Sequence, residues 1–201
     1  MSRENDAPEV IEYYKPAELD ALLQAASEKP EPEQPDFRHL RPVIALCGLA
    51  GLRLQEAVRL TWDEVFRVDG HVEISQTKSK TRQRRLVTAS PALTQWLMPY
   101  RSRSGPIWVP GMEKFHSDFG ALRASLKIPA RRNGLRHAFV TYHFALHQNE
   151  SLTAAEAGNS PAMIHGHYKG LATKVEAQKW FNVCPAGAAE NVVVIPKQAG
   201  T

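Results

Sequence analysis

The sequence predicts a mainly α-helical α+β domain with a small three-stranded antiparallel sheet. Its 201 residues are enough for one domain with a substantial core. Most of the chain carries apolar residues at helical spacing. The exception is the stretch 65–88, where short apolar runs flank Asp69-Gly70. An Asp-Gly pair between two such runs is a strong signal for a tight β-hairpin.

The first part of the chain is predicted to be helical. Apolar spacing indicates a first helix over 15–26, with Pro16 in its first turn. The proline-rich and acidic stretch 27–36 predicts a loop. The apolar run from Phe37 to Ala50 predicts a buried helix, and a short amphipathic helix is expected to follow it up to Leu60.

Three strands and five further helices complete the prediction. The strands are Val65–Val68, His71–Ile74 and Arg85–Thr88, and the basic stretch Lys78–Arg85 joins the second strand to the third. The helices predicted after the sheet are Pro91–Tyr100, Met112–Lys127, Leu135–Gln148, Leu152–Ala157 and Thr173–Phe181.

Charge is unevenly distributed along the chain. The formal net charge is +4, but residues 1–36 contain ten acidic and three basic residues, so that segment carries −7 and the remainder +11. A basic body suits a polyanionic partner such as a nucleic acid. The stretch KSKTRQRR, residues 78–85, has five cations in eight residues and no acid. Such a run is interpreted either as a solvated loop or as a polyanion-binding segment.

Several classes of protein are not supported by the sequence. The first ten residues are polar and acidic, unlike a secretory signal, and the apolar run 42–52 is too short to span a bilayer. We therefore expect a cytoplasmic protein without membrane contact. Cys47 and Cys184 are too few for a disulfide framework or a zinc site, and His143 and His147 have no evident third ligand. No metal and no cofactor are expected.

Four polar clusters stand out from this scaffold. They contain Arg53 in GLAGLRLQEAVRLTWDEV, Lys80 in KSKT, Arg136 in NGLRHAFVTY and Tyr168 in GNSPAMIHGHY. In this order and in these contexts, the clusters resemble the catalytic domain of the tyrosine recombinases, also called the phage integrase family. The resemblance runs from about residue 13 to residue 183. It implies the fold of the DNA breaking-rejoining enzymes, a helical catalytic core with a small antiparallel sheet.

The resemblance also implies a chemistry, that of a site-specific DNA recombinase. Tyr168 would attack a DNA phosphodiester and form a 3′-phosphotyrosine, and Lys80 would protonate the departing 5′-oxygen. Arg53 and Arg136 would hold the phosphate oxygens, because a guanidinium forks onto two oxygens at once. Rejoining would reverse the step with the 5′-hydroxyl of a second strand.

The chain departs from the family pattern at two catalytic positions. Asn133 stands where the family most often has histidine, and Asn159 stands where it has histidine or tryptophan. Asparagine can hydrogen-bond to a phosphate but cannot shuttle a proton near neutral pH. Glu56 and His137 are expected to support the site. The two asparagines favour an alternative function, a catalytically degenerate DNA-binding module, and a type IB topoisomerase-like enzyme is a second alternative.

Partners and segment boundaries follow from the same resemblance. The partner is expected to be double-stranded DNA, bound by a chain that is monomeric in solution and forms a homotetramer on paired sites. Residues 1–12 are expected to be a disordered acidic leader, 13–183 the catalytic domain, and 184–201 a tail whose apolar ENVVVIP docks on a neighbouring protomer. The separate N-terminal core-binding domain of the family is expected to be absent. The cations expected to contact DNA are Lys78, Arg82, Arg84, Arg85, Arg131 and Arg132.

Overall fold

Ten α-helices and one two-stranded antiparallel sheet form the part of the chain that the computed structural model describes, residues 11–76 and 84–187. None of the helices in these two ranges is long and apolar enough to cross a membrane. The elements in chain order are α1 (Pro16–Ala25), α2 (Arg41–Leu49), α3 (Leu54–Ala57), α4 (Trp62–Phe66), β1 (His71–Ile74), β2 (Arg85–Thr88), α5 (Pro91–Leu97), α6 (Met112–Ser125), α7 (Gly134–His147), α8 (Glu150–Ala157), α9 (Pro161–Tyr168) and α10 (Lys174–Phe181).

Helices α2 and α7 form the centre of the core. Every residue of α2 from Pro42 to Leu49 is buried, and α7 is buried along most of its length. Helix α7 packs against α2, α8, α9 and α10. Two fully buried indoles fix the surrounding helices, because the Trp96 N–H donates to the carbonyl of Val183 at 2.8 Å and the Trp180 N–H donates to the carbonyl of Gly48 at 2.9 Å. The central position of α7 fixes the place of the polar residues in its first turn.

The prediction of a third strand is wrong within the described residues. Strands β1 and β2 pair antiparallel, with His71 opposite Thr88 and Ile74 opposite Arg85. The first half of the expected strand Val65–Val68 lies in helix α4, and Val68 makes only an isolated bridge to His71. The sequence Thr61-x-x-Glu64 explains the helix, because the Thr61 hydroxyl caps the Glu64 N–H while the Glu64 carboxylate accepts from the Thr61 N–H.

The predicted helices are otherwise found within a few residues of their expected ends, and one helix was missed. Helix α9 carries Tyr168 as its last residue and was not predicted from the sequence. Its signal is Ser160-Pro161, since the serine hydroxyl accepts from the Met163 N–H and proline takes the first helical position. The predicted acidic leader and the apolar tail lie largely outside the described residues.

Gly51 is the glycine on which the approach of α7 to the α2–α3 connection depends. Its φ is +63°, and a Cβ at this position would lie 2.2 Å from a ring carbon of Phe139. Both the left-handed conformation and the contact exclude a side chain. The first arginine, Arg53, therefore follows a turn whose shape is fixed by backbone conformation and packing together.

We expect Gly51→Ala to lower the free energy of unfolding by about 2–4 kcal/mol, because it combines a left-handed alanine with overpacking. Urea denaturation monitored by tryptophan fluorescence measures this change. Gly120→Ala is the matched control: a Cβ there meets nothing closer than Arg123 at 3.9 Å, and a helical glycine replaced by alanine should gain up to about 1 kcal/mol. Equal stabilities for the two variants would contradict this account of Gly51.

Candidate active site

Arg53 lies at the start of α3, directly after the Gly51 turn. Its guanidinium Nη2 donates to the carbonyl of Gly158 at 2.8 Å and to Oδ1 of Asn159 at 3.4 Å. Its Nη1 donates to Glu56 at 3.2 Å. The side chain is 24% exposed, so part of it remains accessible to solvent while these contacts hold it. Arg53 is therefore positioned before any substrate arrives.

Glu56 is a buried carboxylate held by two arginines. Arg85, on β2, donates from Nη1 and Nη2 to the two carboxylate oxygens at 3.1 and 2.7 Å. The backbone N–H of Arg53 donates to the same carboxylate at 2.9 Å. Burial raises the pKa of Glu56, but the hydrogen bonds and positive charge of Arg85 outweigh it and, with Arg53, hold that pKa at about 2. Glu56 therefore stays ionised at any physiological pH.

Arg136 approaches Arg53 from α7. Its Nη1 donates a short hydrogen bond to the carbonyl of Gly51, and its Nη2 donates to Oδ1 of Asn159 at 2.7 Å. Burial and, to a smaller extent, the positive charge of Arg53 lower the pKa of Arg136 to about 10, against the opposing effect of Glu56. The guanidinium still carries its charge at neutral pH. Two cations converge here, and no carboxylate pairs directly with Arg136 among the described residues.

Asn159 joins the two arginines. It follows Gly158, which ends α8 in the left-handed conformation with φ +65°. A Cβ on Gly158 would lie 3.1 Å from Arg85 and 3.5 Å from Arg53, so the glycine also makes room for both guanidiniums. The Oδ1 of Asn159 accepts from Arg136 and, at longer range, from Arg53. The amide thus orients both cations without supplying a proton.

Tyr168 is buried but its hydroxyl belongs to the polar cluster. The side chain is only 5% exposed, and its hydroxyl lies 2.7 Å from Nδ1 of His137, the residue after Arg136. Burial raises the pKa of Tyr168, and the charge of Arg136 partly offsets this. The tyrosine is therefore protonated at neutral pH and lies in the electrostatic field of Arg136.

The remaining predicted residues divide into three groups. Asn133 begins α7 in the left-handed conformation, with φ 54°, and its exposed side chain makes no capping hydrogen bond. Arg84 pairs with Glu73 at 2.7 Å, Arg131 pairs with Glu18 at 2.9 Å, and Arg132 is exposed. The residues Lys78, Lys80 and Arg82 lie outside the described part of the chain.

The structure places Arg85 differently from the sequence-based expectation. It was predicted among the DNA contacts, yet its side chain is only 10% exposed and its guanidinium is engaged by Glu56. The sequence reasoning also missed Gly51 and Gly158, whose carbonyls hold the two site arginines. In the sequence, the feature that marks these two positions is a glycine close to a site residue, Gly51 two positions before Arg53 and Gly158 directly before Asn159. Three arginines against one carboxylate leave the cluster with an excess of positive charge, which suits an anionic substrate such as a phosphodiester.

We expect Glu56→Gln to destabilise the protein at pH 7 by about 3 kcal/mol or more, because it leaves Arg85 buried without its ionic partner. In the native protein the stabilisation from Glu56 is complete above its ordinary pKa of 4.5 and is lost as the pH falls toward about 2. Unfolding free energies from urea titrations between these pH values should therefore fall less steeply for the variant. Glu113→Gln, at an exposed position, is the control that should keep the wild-type pH dependence. Parallel curves for Glu56→Gln and wild type would contradict the buried ion pair.

Solved structures with the same fold are recombinases and integrases. The catalytic domain of bacteriophage HP1 integrase is 19% identical, with a TM-score of 0.52, and the match covers 88% of this chain and 90% of that one. The XerH site-specific recombinase bound to its difH substrate is 16% identical, with a TM-score of 0.59 over 78% of this chain and 49% of that one. A λ integrase tetramer bound to a Holliday junction is 14% identical, with a TM-score of 0.58 over 81% and 50%.

The chain therefore spans about half the length of XerH and of λ integrase, and at these identities the likeness shows the fold. No curated protein sequence matches the chain. The sequence model of the phage integrase family matches residues 12–148, which include Arg53, Glu56, Arg136 and His137 but end before Asn159 and Tyr168. Helix α9 and the Tyr168–His137 contact complete the arrangement beyond that match. The chain belongs to the phage integrase family, and its fold is that of the tyrosine recombinase catalytic domain.

Proposed function

We propose that this protein is a site-specific DNA recombinase domain that cleaves and rejoins DNA through Tyr168. The observation that carries the proposal is the convergence of Arg53, Arg136 and Asn159, with the Tyr168 hydroxyl on the neighbouring His137. The Tyr168 hydroxyl lies in the electrostatic field of Arg136, and Arg136 shares Asn159 with Arg53, an arrangement that suits attack on a phosphodiester held by the two guanidiniums. Residues separated by more than a hundred positions in the chain meet here, which a packing role for Tyr168 does not require.

The two arginines stabilise the charge that develops on the non-bridging phosphate oxygens. This stabilisation is strongest when the donors are fixed before the reaction and partly shielded from water. The contacts of Arg53 to Gly158, and of Arg136 to Gly51, supply that fixation. Asn159 accepts from both guanidiniums through one oxygen and so holds them close together. In this proposal Asn159 is a positioning residue and its lack of a titratable proton costs little.

Proton transfer uses groups on both sides of the phosphate. His137 Nδ1 accepts the Tyr168 proton when the imidazole carries its own proton on Nε2, and the tyrosine oxygen then bonds to phosphorus. The bond from phosphorus to the 5′-oxygen breaks, and the departing oxygen takes a proton from Lys80. The product is a 3′-phosphotyrosine and a free 5′-hydroxyl, which can reverse the step on a second strand.

The proposed partner is double-stranded DNA on paired sites. The λ integrase structure with this fold is a tetramer on a Holliday junction, and we propose the same assembly for this chain, with a monomer in solution. The cations Lys78, Arg82, Arg84, Arg131 and Arg132 would contact the backbone on either side of the site, and the tail 184–201 would dock on a neighbour. Binding through such phosphate contacts weakens steeply as salt is raised.

One observation favours a second function, a DNA-binding module that does not cut. Asn133 stands where the family most often has histidine and Asn159 where it has histidine or tryptophan, and the Asn133 side chain caps nothing in α7. A type IB topoisomerase-like enzyme would share the chemistry but act as a monomer on one duplex. The three functions differ in two readouts, a covalent adduct and the relaxation of supercoiled plasmid.

We expect the protein to form a denaturant-resistant adduct with nicked suicide duplexes at low salt, because the nick lets the 5′ fragment diffuse away and blocks religation. Gel electrophoresis in detergent measures the adduct, and Tyr168→Phe should abolish it. Tyr13→Phe, at a partly buried tyrosine whose hydroxyl donates to the carbonyl of Leu171, is the control for loss of a tyrosine hydroxyl elsewhere. An adduct that survives Tyr168→Phe, or no adduct despite DNA binding by the chain fused to a DNA-binding domain, would contradict the proposal. Relaxation of plasmid by the monomer would identify the topoisomerase instead.

We expect His137→Ala to slow adduct formation by about 10- to 100-fold, since it removes the group that orients and deprotonates Tyr168. His137→Asn places an amide near the position of Nδ1 and should restore orientation without basicity. Single-turnover rates across a pH series separate orientation from proton transfer. A partial recovery of the rate in His137→Asn, together with a flattened pH profile, indicates that His137 both orients and deprotonates Tyr168. Rates unchanged in both variants would remove His137 from the mechanism.

A further inference from the structure

A pocket of about 520 Å³ opens beside the candidate active site. Arg136, Asn133 and Leu54 line one side of it, so the pocket and the arginine cluster share a wall. Helix α6 and the segment leading into α7 supply the other sides. The volume falls within the range of sites that bind small organic molecules. A group that enters this pocket is therefore close to any phosphate held by Arg136.

The floor of the pocket is aromatic. Phe115 and Phe119 stack with their ring centroids 5.5 Å apart, and Tyr14 meets Phe119 edge to face at 6.5 Å. All three rings line the pocket. Phe119 is only partly buried, and the Arg123 guanidinium lies over its ring, so the accessible surface here combines an aromatic ring with a guanidinium. Such a floor suits a planar, aromatic ligand.

The walls of the pocket are cationic, and within the described residues only one of their four arginines is paired with a carboxylate. Arg123, Arg131, Arg132 and Arg136 line the pocket, and its lining contains no aspartate or glutamate. Arg131 is paired with Glu18, whereas Arg123 and Arg132 make no ion pair within residues 11–76 and 84–187. The Arg123 guanidinium lies 5.3 Å from the centre of the Phe119 ring. A ligand that joins a flat ring to a negative charge would match both the floor and the walls.

We propose that this pocket binds one nucleotide of the DNA strand next to the scissile phosphate, with its base unstacked from the duplex and laid on the aromatic floor. Aromatic faces combined with guanidiniums are how proteins hold unstacked bases and the phosphates beside them. The inference rests on the proposed function in one respect, because the strand that passes the pocket is the one whose phosphate Arg53 and Arg136 hold.

Asn133 gains a role from this inference. It lines the pocket in the left-handed conformation, which asparagine tolerates better than most residues. Its carboxamide offers both a donor and an acceptor, the combination that pairs with the edge of a base. Asn133 would then contact the unstacked nucleotide rather than transfer a proton, and the base at that position would contribute to the choice of DNA site.

The test compares two pocket variants with one control. Ala130→Trp fills the pocket from its exposed rim, and Arg123→Ala removes an unpaired guanidinium. Ala121→Trp adds the same side chain at an exposed position of α6 outside the lining. The probes are short duplexes with one 2-aminopurine, either paired with thymine or facing an abasic position, and 2-aminopurine deoxyribonucleoside monophosphate. Fluorescence titrations at low salt measure the affinities, and circular dichroism confirms that each variant folds.

We expect wild type and Ala121→Trp to bind the duplex with the abasic position about tenfold more tightly than the fully paired duplex, because its base unstacks at lower cost. Both pocket variants should lose most of that preference and bind the free nucleotide more weakly. Equal preference in all four proteins would overturn the inference. Binding of the free nucleotide that depends on the pocket, without any preference between the duplexes, would also overturn it by assigning the pocket to free nucleotides.

Covalent trapping on suicide duplexes separates this inference from the proposed function. Suppose that the adduct depends on Tyr168 but the pocket variants keep the preference for the duplex with the abasic position. That result supports the recombinase and contradicts the nucleotide site. A pocket-dependent preference that persists in Tyr168→Phe supports the nucleotide site by itself. If none of the proteins forms an adduct but the pocket-dependent preference between the duplexes remains, the nucleotide site is supported and the proposed DNA cleavage is contradicted.

Discussion

The buried carboxylate of Glu56 is the constraint on which the rest of the site depends. It is nearly inaccessible to water, so it can remain ionised only while Arg85 donates to both its oxygens. That pairing ties β2 to the start of α3, and through the Arg53 backbone it fixes the first site arginine. Because Arg85 already neutralises Glu56, the charges of Arg53 and Arg136 remain available to an incoming anion. Removing the carboxylate would therefore disturb both packing and electrostatics.

The sequence predicted the helical part of the fold well because periodic apolar residues coincide with buried helix faces. It failed where a local capping signal competed with a hydrophobic run: Val65 fits a strand pattern, but the reciprocal bonds of Thr61 and Glu64 start a helix three residues earlier. Helix α9 was missed because its eight residues include two histidines and a glycine and have no clear apolar face. Short elements carry too few residues for periodicity to decide their conformation.

The site was predictable in its residue types and less so in their partners. Arg53 and Arg136 both donate to Asn159, and Tyr168 lies in the electrostatic field of Arg136, while the catalytic roles of these residues stay a prediction. A sequence does not distinguish an arginine on the DNA-binding surface from one that is buried against a carboxylate. Arg85 lies in a run of cations and is therefore predicted to contact DNA, but its side chain is buried against Glu56. Every residue has a backbone carbonyl, so a sequence does not indicate which carbonyls will accept hydrogen bonds from a side chain. The acceptors at Gly51 and Gly158 could be identified only from the structure.

The hydrogen bond between Arg53 and Asn159 closes a loop of 106 residues, and that between Arg136 and Asn159 crosses only 23. Bringing distant segments together costs chain entropy before any contact repays it. A nascent chain that has emerged only as far as α7 contains both arginines but lacks Asn159, the amide that orients them. If the two arginines hold a phosphodiester as proposed, that capacity arises only after the chain has folded as far as Asn159.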